Sequence, residues 1–276
     1  MVRIAILMAC FNRRKMTEKC LESLKNQMKG EKDIIFDVFL YDDGSSDGTL
    51  EAARNIFPEI IAARGQGNSY WCKGMFVLMQ KAAALKYDFY LMVNDDVQFY
   101  ADAIRTMLNS YAQKRGSHCV VGTTRSSRTK LPTYGGRNRE GVLIVPEKEL
   151  RRCSLANWNC FLIDSETIEK VGIIDGKYQH SWGDYDYSIR AEKSGVPIYI
   201  ADHYVGECES NSVEGTFKDS NVPKKERFKK LFSPKGMPFY SYMRYNFRLN
   251  GIVGWGQGIY GYGSILYYIL TGREIR

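Results

Sequence analysis

Residues 4–9 are apolar without alternation, the pattern of a strand covered on both faces. Between residues 16 and 29 the apolar positions Met16, Cys20, Leu21, Leu24 and Met28 recur every three or four residues, which predicts an amphipathic helix. A second strand is predicted over residues 36–41, stopped by Asp42-Asp43-Gly44-Ser45-Ser46-Asp47-Gly48-Thr49. A helix over 51–56, a strand over 60–63, a helix over 74–85 and a strand over 89–93, halted at Asn94-Asp95-Asp96, continue the alternation. Strand and helix in turn imply an α/β fold, a parallel sheet with helices on both faces, which binds ligands beyond the carboxyl ends of its strands.

Those ends carry the chemistry. The first strand ends at Cys10-Phe11-Asn12-Arg13, the second at Asp42-Asp43, the fourth at Asn94-Asp95-Asp96, so three polar clusters meet on one edge. Crowded carboxylates repel unless a cation or hydrogen-bond donors join them. Oxygen-rich acids at a cleft rim suit Mg2+ or Mn2+, which bind one or two carboxylates and complete their shell with substrate phosphate. Each cluster alone is also ordinary turn or helix-cap chemistry; their joint placement favours a site. Residues 64–74 form a glycine-containing loop in which Arg64 or Lys73 can meet phosphate and Trp71 can wall a sugar or base, a weak signal by itself.

Downstream, residues 122–152 read as a strand-and-loop excursion on the acceptor side, and 157–164 as a strand with Asn157 and Trp158 at its start, facing a sugar or packed in the core. A helix passes through 190–193, preceded by His180, Trp182, Asp184 and Asp186; a strand over 196–201 should end before His203 and Glu207.

Composition narrows the class. Hydrophobic residues at 44% and charged residues at 25% are those of a folded domain, which excludes collagen-like, coiled-coil and wholly disordered chains. The net charge is +8, and residues 217–276 hold all of it, with eleven basic and three acidic side chains. A neutral body with a basic appendage is not a general polyanion binder. Seven scattered cysteines without a Cys-x-x-Cys pair, and an initial apolar run too short for a signal peptide, lead to the expectation of reduced thiols in the cytoplasm.

The strand followed by Ala9-Cys10-Phe11-Asn12-Arg13, then Asp42 to Thr49, then Asn94-Asp95-Asp96, and Trp182-Gly183-Asp184-Tyr185-Asp186 with Arg190, resembles the family 2 glycosyltransferases over about residues 2–210. The resemblance implies the GT-A fold and a bacterial polysaccharide, O-antigen or capsule type of enzyme. It places Ala9, Phe11 and Arg13 against the nucleobase, has Asp42 accept a hydrogen bond from it with Asp43 as neighbour, and sets Arg64 and Asp95 on the donor. Asp96 would hold a divalent metal, Mn2+ or Mg2+, with Glu207 or His203 as third ligand. Asp184 matches the catalytic base of inverting members, and Trp71, Lys73, Asn157, Trp158, His180, Trp182 and Asp186 would line the donor and acceptor sugars; for Asp186 a helix-cap and Arg190 salt link is the competing role. Two departures stand out: Asn94 replaces the first Asp of the family's Asp-x-Asp motif, and Gly183 replaces its usual Glu.

The division expected is a GT-A domain over 1–216 and a basic, aromatic helical segment over 217–276. Lysines interleaved with Phe228, Leu231 and Phe232 read as a surface for anionic lipid. Residues 251–272 lack charge, yet Gly254, Gly256, Gly258, Gly261 and Gly263 make their first half a poor helix former. An aromatic segment on the protein or in the bilayer interface is expected, flanked by Arg244, Arg248, Arg273 and Arg276; the competing reading is a solvated linker plus a packed helix pair. The partners are then a nucleotide-sugar donor, a glycan or polyprenyl-diphosphate-linked acceptor, and the inner face of the cell membrane, with no nucleic acid. A sugar-nucleotide nucleotidyltransferase is the first alternative, disfavoured because no glycine follows the first strand; a non-catalytic binding module using the basic tail is the second.

Overall fold

The computed structural model describes residues 1–272. The chain runs β1 (Val2–Cys10), α1 (Arg14–Met28), β2 (Ile34–Asp42), α2 (Thr49–Ile56), β3 (Ile61–Arg64), α3 (Tyr70–Leu85), β4 (Phe89–Asn94), β5 (Gln98–Phe99), α4 (Ala103–Ala112) and β6 (Cys119–Arg125). It continues through β7 (Gly136–Arg137), β8 (Arg152–Cys153), β9 (Leu155–Ala156), β10 (Cys160–Asp164), α5 (Ser165–Val171), α6 (Gly183–Lys193), β11 (Ile198–Glu207), α7 (Lys224–Phe232) and α8 (Phe239–Thr271). The main sheet has the order β3-β2-β1-β4-β10-β6-β11-β5, with β8 beside β11. β10 alone runs against both neighbours, while β3, β2, β1 and β4 are parallel as the alternation implied.

The unbroken apolar run of β1 has its reason in this topology. Ala5, Leu7 and Ala9 join the core under α3 and α6, whereas Ile4, Ile6 and Met8 join the core under α1 and α4. The α1 positions Cys20, Leu21 and Leu24 are all buried in that second core. Truncating Leu21 to Ala would cost about 2–5 kcal/mol.

Several expected boundaries move. α3 begins at Tyr70 rather than residue 74, so Trp71 and Lys73 stand on its first turn. The strand expected over 157–164 starts at Cys160, leaving Asn157 and Trp158 in the preceding turn. β11 passes through His203 and Glu207 instead of ending before them.

The glycine-rich segment expected to resist helix formation is helical. α8 breaks only at Asn250 and Gly251, where Gly251 takes φ of +61°, and its halves 239–249 and 252–271 fold back as a hairpin. Glycine makes the approach possible: a Cβ on Gly254 would lie 2.0 Å from the Asn246 carbonyl oxygen, and one on Gly261 would lie 2.7 Å from the Tyr242 hydroxyl. Tertiary packing thus overrides propensity. Phe217, Leu231, Met237, Tyr262 and Ile269 form a small core between α7 and this hairpin. Arg244 and Arg248, expected to flank a lipid-facing segment, turn inward to Asp175 and Asp186. Arg273 and Arg276 lie outside the described residues. Among the described residues, no helix is long and apolar enough to cross a membrane.

Candidate active site

Strand register assembles the cleft. Ala9 sits between Tyr41 and Asn94, Cys10 is level with Asp42, and Asp42 with Arg64. The two segments after β1 and β2 then knit together: Asn12 N–H donates to Ser45 Oγ at 2.9 Å, and Arg14 N–H to Asp47 Oδ2 at 2.9 Å. Asp47 also accepts from the Thr49 N–H at the start of α2, so part of the acidic tract does serve as a cap.

The adjacent acids Asp42 and Asp43 separate in role. Asp43 accepts from the N–H groups of Gly67, Ser69 and Tyr70 and so ties the glycine-containing loop to the start of α3. Its carboxylate is therefore held in place by the loop amides. Asp42 is fully buried, accepts from Ser45 N–H through Oδ1, and leaves Oδ2 without a hydrogen bond; Arg64 Nε stands 3.9 Å from that oxygen. Phe11 is exposed beside Gly67.

At the end of β4, Arg13 bridges both acids, with Nη1 3.1 Å from Asp95 Oδ1 and 3.0 Å from Asp96 Oδ2. Asp95 also accepts from Thr17 Oγ1. Burial outweighs these partners and pushes the Asp95 carboxyl up to about 6. Asn94 accepts from Trp71 Nε1 at 2.9 Å, so the missing first Asp is a position spent on orienting that indole.

His203 is exposed and pairs with Asp202, and Glu207 is ion-paired with Lys130. Besides Arg13, Cys208 reaches Asp96, its thiol donating to Oδ1 at 3.6 Å. Among the described residues, no three His, Cys, Asp or Glu side chains are grouped to hold a metal. An acid pair already bridged by one cation, with Asp96 less buried than Asp95, fits a divalent ion held by one carboxylate and completed by substrate oxygens and water.

Across the cleft stands α6. Asp184 lies in its first turn, accepts from the Tyr185 N–H at 2.9 Å, and takes a longer bond of 3.5 Å from Asn157 Nδ2. Burial pushes its carboxyl up to about 6, against the hydrogen bonds from Tyr185, Asn157 and the Trp158 backbone that favour the charged form. Gly183 explains its departure from the family pattern: a Cβ there would meet Cys72 Sγ at 2.3 Å, so α6 begins too close to α3 for a glutamate. The preceding Trp182 takes φ of +78°, a costly conformation for a bulky residue.

The other expected sugar contacts divide. Trp158 is 1% exposed and packs on Phe161, Tyr187 and Trp71, so it is core and cannot face a sugar. Asp186 is also fully buried; Tyr178 OH, Arg190 Nε and Arg248 Nε donate to it, and it has no surface for substrate. Trp182 packs against Tyr245 and Tyr242 of α8. Lys73 is exposed on α3, and the turn before it is clipped to the His180 loop by Cys72 N–H donating to the Gln179 carbonyl. His180 is held neutral, its ring pushed down to about 4 by burial and then by Lys235 and Arg13. Arg137, not anticipated from sequence, lies near Tyr185, the neighbour of Asp184. Asp42 Oδ2, Asn157 Oδ1, His180 Nδ1, Trp182 Nε1 and Arg137 Nε are buried polar atoms without partners, as are Trp158 Nε1 and Tyr187 OH in the core and atoms of Thr123, Arg227 and Tyr262.

A mostly parallel sheet with acids on its carboxyl edge and a carboxylate opposite is the architecture of GT-A glycosyltransferases. The Glycosyl transferase family 2 model matches residues 5–172, and the chain belongs to that family and is a glycosyltransferase. No curated protein matches the sequence. Among solved structures, S. aureus TarS residues 1–349 in complex with UDP-GlcNAc superposes with a TM-score of 0.60 at 13% identity, covering 100% of this chain and 93% of that one. The mannosyltransferase PcManGT from Pyrobaculum calidifontis, in complex with GDP-Man and Mn2+, gives a TM-score of 0.51 at 12% identity, covering 98% and 79%. These likenesses are of fold.

Proposed function

We propose that this glycosyltransferase takes a sugar from a nucleoside diphosphate, UDP or dTDP, and delivers it with inversion to a hydroxyl of a glycan or a polyprenyl-diphosphate-linked glycan. It works in the cytoplasm, peripheral to the inner face of the cell membrane. The observation that carries the reading is Asp184, a carboxylate in the first turn of α6 held by the Tyr185 N–H and Asn157, in a fold whose neighbouring strand ends carry Asp42, Asp95 and Asp96. The complexes of TarS with UDP-GlcNAc and of PcManGT with GDP-Man and Mn2+ support a nucleotide-sugar donor.

In this reading Asp42 accepts from the nucleobase through its free oxygen, with Ala9 and Phe11 against the ring. Arg13 stands with them at the ring, Arg64 faces the phosphates, and Asp95 the ribose or sugar hydroxyls. Asp96 holds the divalent cation, which when bound supplies charge neutralisation for the departing diphosphate. Asn157 and His180 offer hydrogen bonds to sugar hydroxyls, and Trp71 and Lys73 stand on the donor wall. Asp184 takes the acceptor proton as the oxygen attacks the anomeric carbon; the bond to the diphosphate breaks on the opposite side and the electron pair leaves with it. One displacement inverts the centre. A thermal-shift panel of sugar nucleotides with and without Mn2+ tests the donor, followed by NMR of the product anomer. A retained anomeric configuration, or no donor that shifts the melting temperature, overturns it.

A further inference from the structure

The second half of α8 presents two unlike faces. Gly254, Gly258 and Gly261 bury one face against Asn246, Met243 and Tyr242. At about 100° per residue, Ile252, Trp255, Ile259 and Leu270 fall within one narrow sector on the other, with Val253 and Tyr260 at its margins. All six are exposed, Ile252 to 83% and Tyr260 to 80%. No charged residue occurs between Gly251 and Gly272. A groove of about 340 Å³ lined by Phe239, Tyr240, Met243, Arg244, Phe247 and Trp255 opens between the two limbs of the hairpin.

Beside this apolar face lies a cationic helix. α7 runs along the hairpin, with Lys224 Nζ donating to the Leu270 carbonyl at 2.7 Å and the Phe232 ring 6.2 Å from that of Tyr262. It carries Lys224, Lys225, Lys229 and Lys230 against the single acid Glu226, and Lys235 follows. Its arginine, Arg227, is buried and bonded to the Phe217 carbonyl, so the outward charge is lysine.

We infer that the outer face of residues 252–270 lies in the headgroup boundary of an anionic phospholipid bilayer, parallel to its plane, with the α7 lysines on the lipid phosphates. Charge complementarity selects this occupant. A second copy of the chain would bring two lysine rows together, and a nucleic acid would leave the apolar stripe in water. An uncharged aromatic face bordered by lysine is the arrangement of interfacial helices. The inference deepens the lipid-linked form of the acceptor and rests on that reading; the surface itself is defined without the transfer chemistry.

The test is flotation of the full chain with vesicles of phosphatidylcholine, with and without phosphatidylglycerol, alongside Trp255→Ser/Ile259→Ser and Lys225→Glu/Lys229→Glu variants. All four positions are exposed, and each variant's melting temperature reports its fold. The wild type is expected to float with anionic vesicles, with retention reduced on the order of tenfold in either variant and on phosphatidylcholine alone. Absence of wild-type retention, or retention of both variants equal to wild type, overturns the inference. So does a wild-type dimer in light scattering that the serine variant converts to monomer without any vesicle binding. Transfer to a soluble glycan is a separate readout: transfer without vesicle binding removes the membrane surface and keeps the proposed transfer reaction, and vesicle binding without transfer keeps the surface and removes that reaction.

Discussion

Arg248 in the first limb of α8 donates through Nε to Asp186 Oδ1 at 3.0 Å, two residues beyond the candidate base. Asp186 is fully buried and also holds Arg190 and Tyr178, so the C-terminal hairpin is bolted to the first turn of α6. Tyr245, one turn away, packs on Trp182 and Tyr185 to either side of Asp184. The appendage therefore supports the wall of the cleft.

Arg248→Ala should leave a buried carboxylate short of one charge-assisted bond, destabilising the chain by about 1.5–3 kcal/mol in urea unfolding. The turnover number is expected to fall while the Michaelis constant for the donor stays put, with Arg248→Lys restoring part of the loss. Equal damage to donor affinity would assign Arg248 to the donor site instead of to positioning.

Asp184→Asn should reduce turnover by about 10²–10⁴-fold, the range for a general base. Titration calorimetry of the nucleotide in Mn2+ should give wild-type affinity. Unchanged transfer by this variant removes Asp184 from the mechanism.

The base must be unprotonated to act, and burial has raised its carboxyl to about 6. The specificity constant for acceptor is therefore expected to be flat above pH 7 and to fall about tenfold per pH unit below 6. His180, held neutral down to about 4, contributes nothing to that limb, whereas Asp95, also raised to about 6, titrates in the same window, so the limb must be absent from the residual activity of Asp184→Asn if Asp184 alone sets it. Stability follows the opposite sign: a raised carboxyl disfavours the folded state progressively as pH rises from the unfolded value through 6. The melting temperature of Asp184→Asn relative to wild type should accordingly increase over pH 4–6 and then level off.

Asp96→Ala should weaken donor binding in Mn2+ by at least about tenfold, since disturbing even the outer shell of a metal site costs that much. Binding without metal should change little, and chelation of wild type should reproduce the defect. A variant whose affinity keeps the wild-type response to Mn2+ would move the cation elsewhere.

Two neighbouring glycines of α8 should respond with opposite signs. Gly254→Ala places a methyl 2.0 Å from the Asn246 carbonyl and should destabilise by about 1–3 kcal/mol. At Gly256 nothing lies within 4 Å, and Ala should stabilise by about 0.5–1 kcal/mol through helix propensity. Urea unfolding followed by circular dichroism measures both; like-signed changes would refute the glycine-seated hairpin.

Periodicity alone was enough for the first four strands and their helices, because a strand buried on both faces, as β1 is, must be apolar throughout. The acidic strand ends were legible for a related reason: polar residues that interrupt buried strands need a purpose; Asp184, on a helix, was singled out only by its motif's resemblance to the family. Which acid does what was not. Asp42 and Asp43 are neighbours in sequence, yet Asp43 accepts from the loop amides while Asp42 keeps one buried oxygen without a hydrogen bond. Trp158 and Asp186 were each open between a sugar contact and a packed or Arg190-paired role, and packing decides for the second, while Cys208 reaches Asp96 because β11 continues through His203 to Glu207.

Local pattern likewise assigned the glycines after residue 250 to a weak helix and Arg244 and Arg248 to the surface. Both are reversed by contacts between residues far apart in the chain. The sequence by itself determined the layered α/β body, the family and the edge where chemistry gathers, all properties of short-range periodicity and motif order. Only the tertiary structure decided which carboxylates are free, which cations are already paired and which face of the tail remains open, because burial and pairing are properties of neighbours in space.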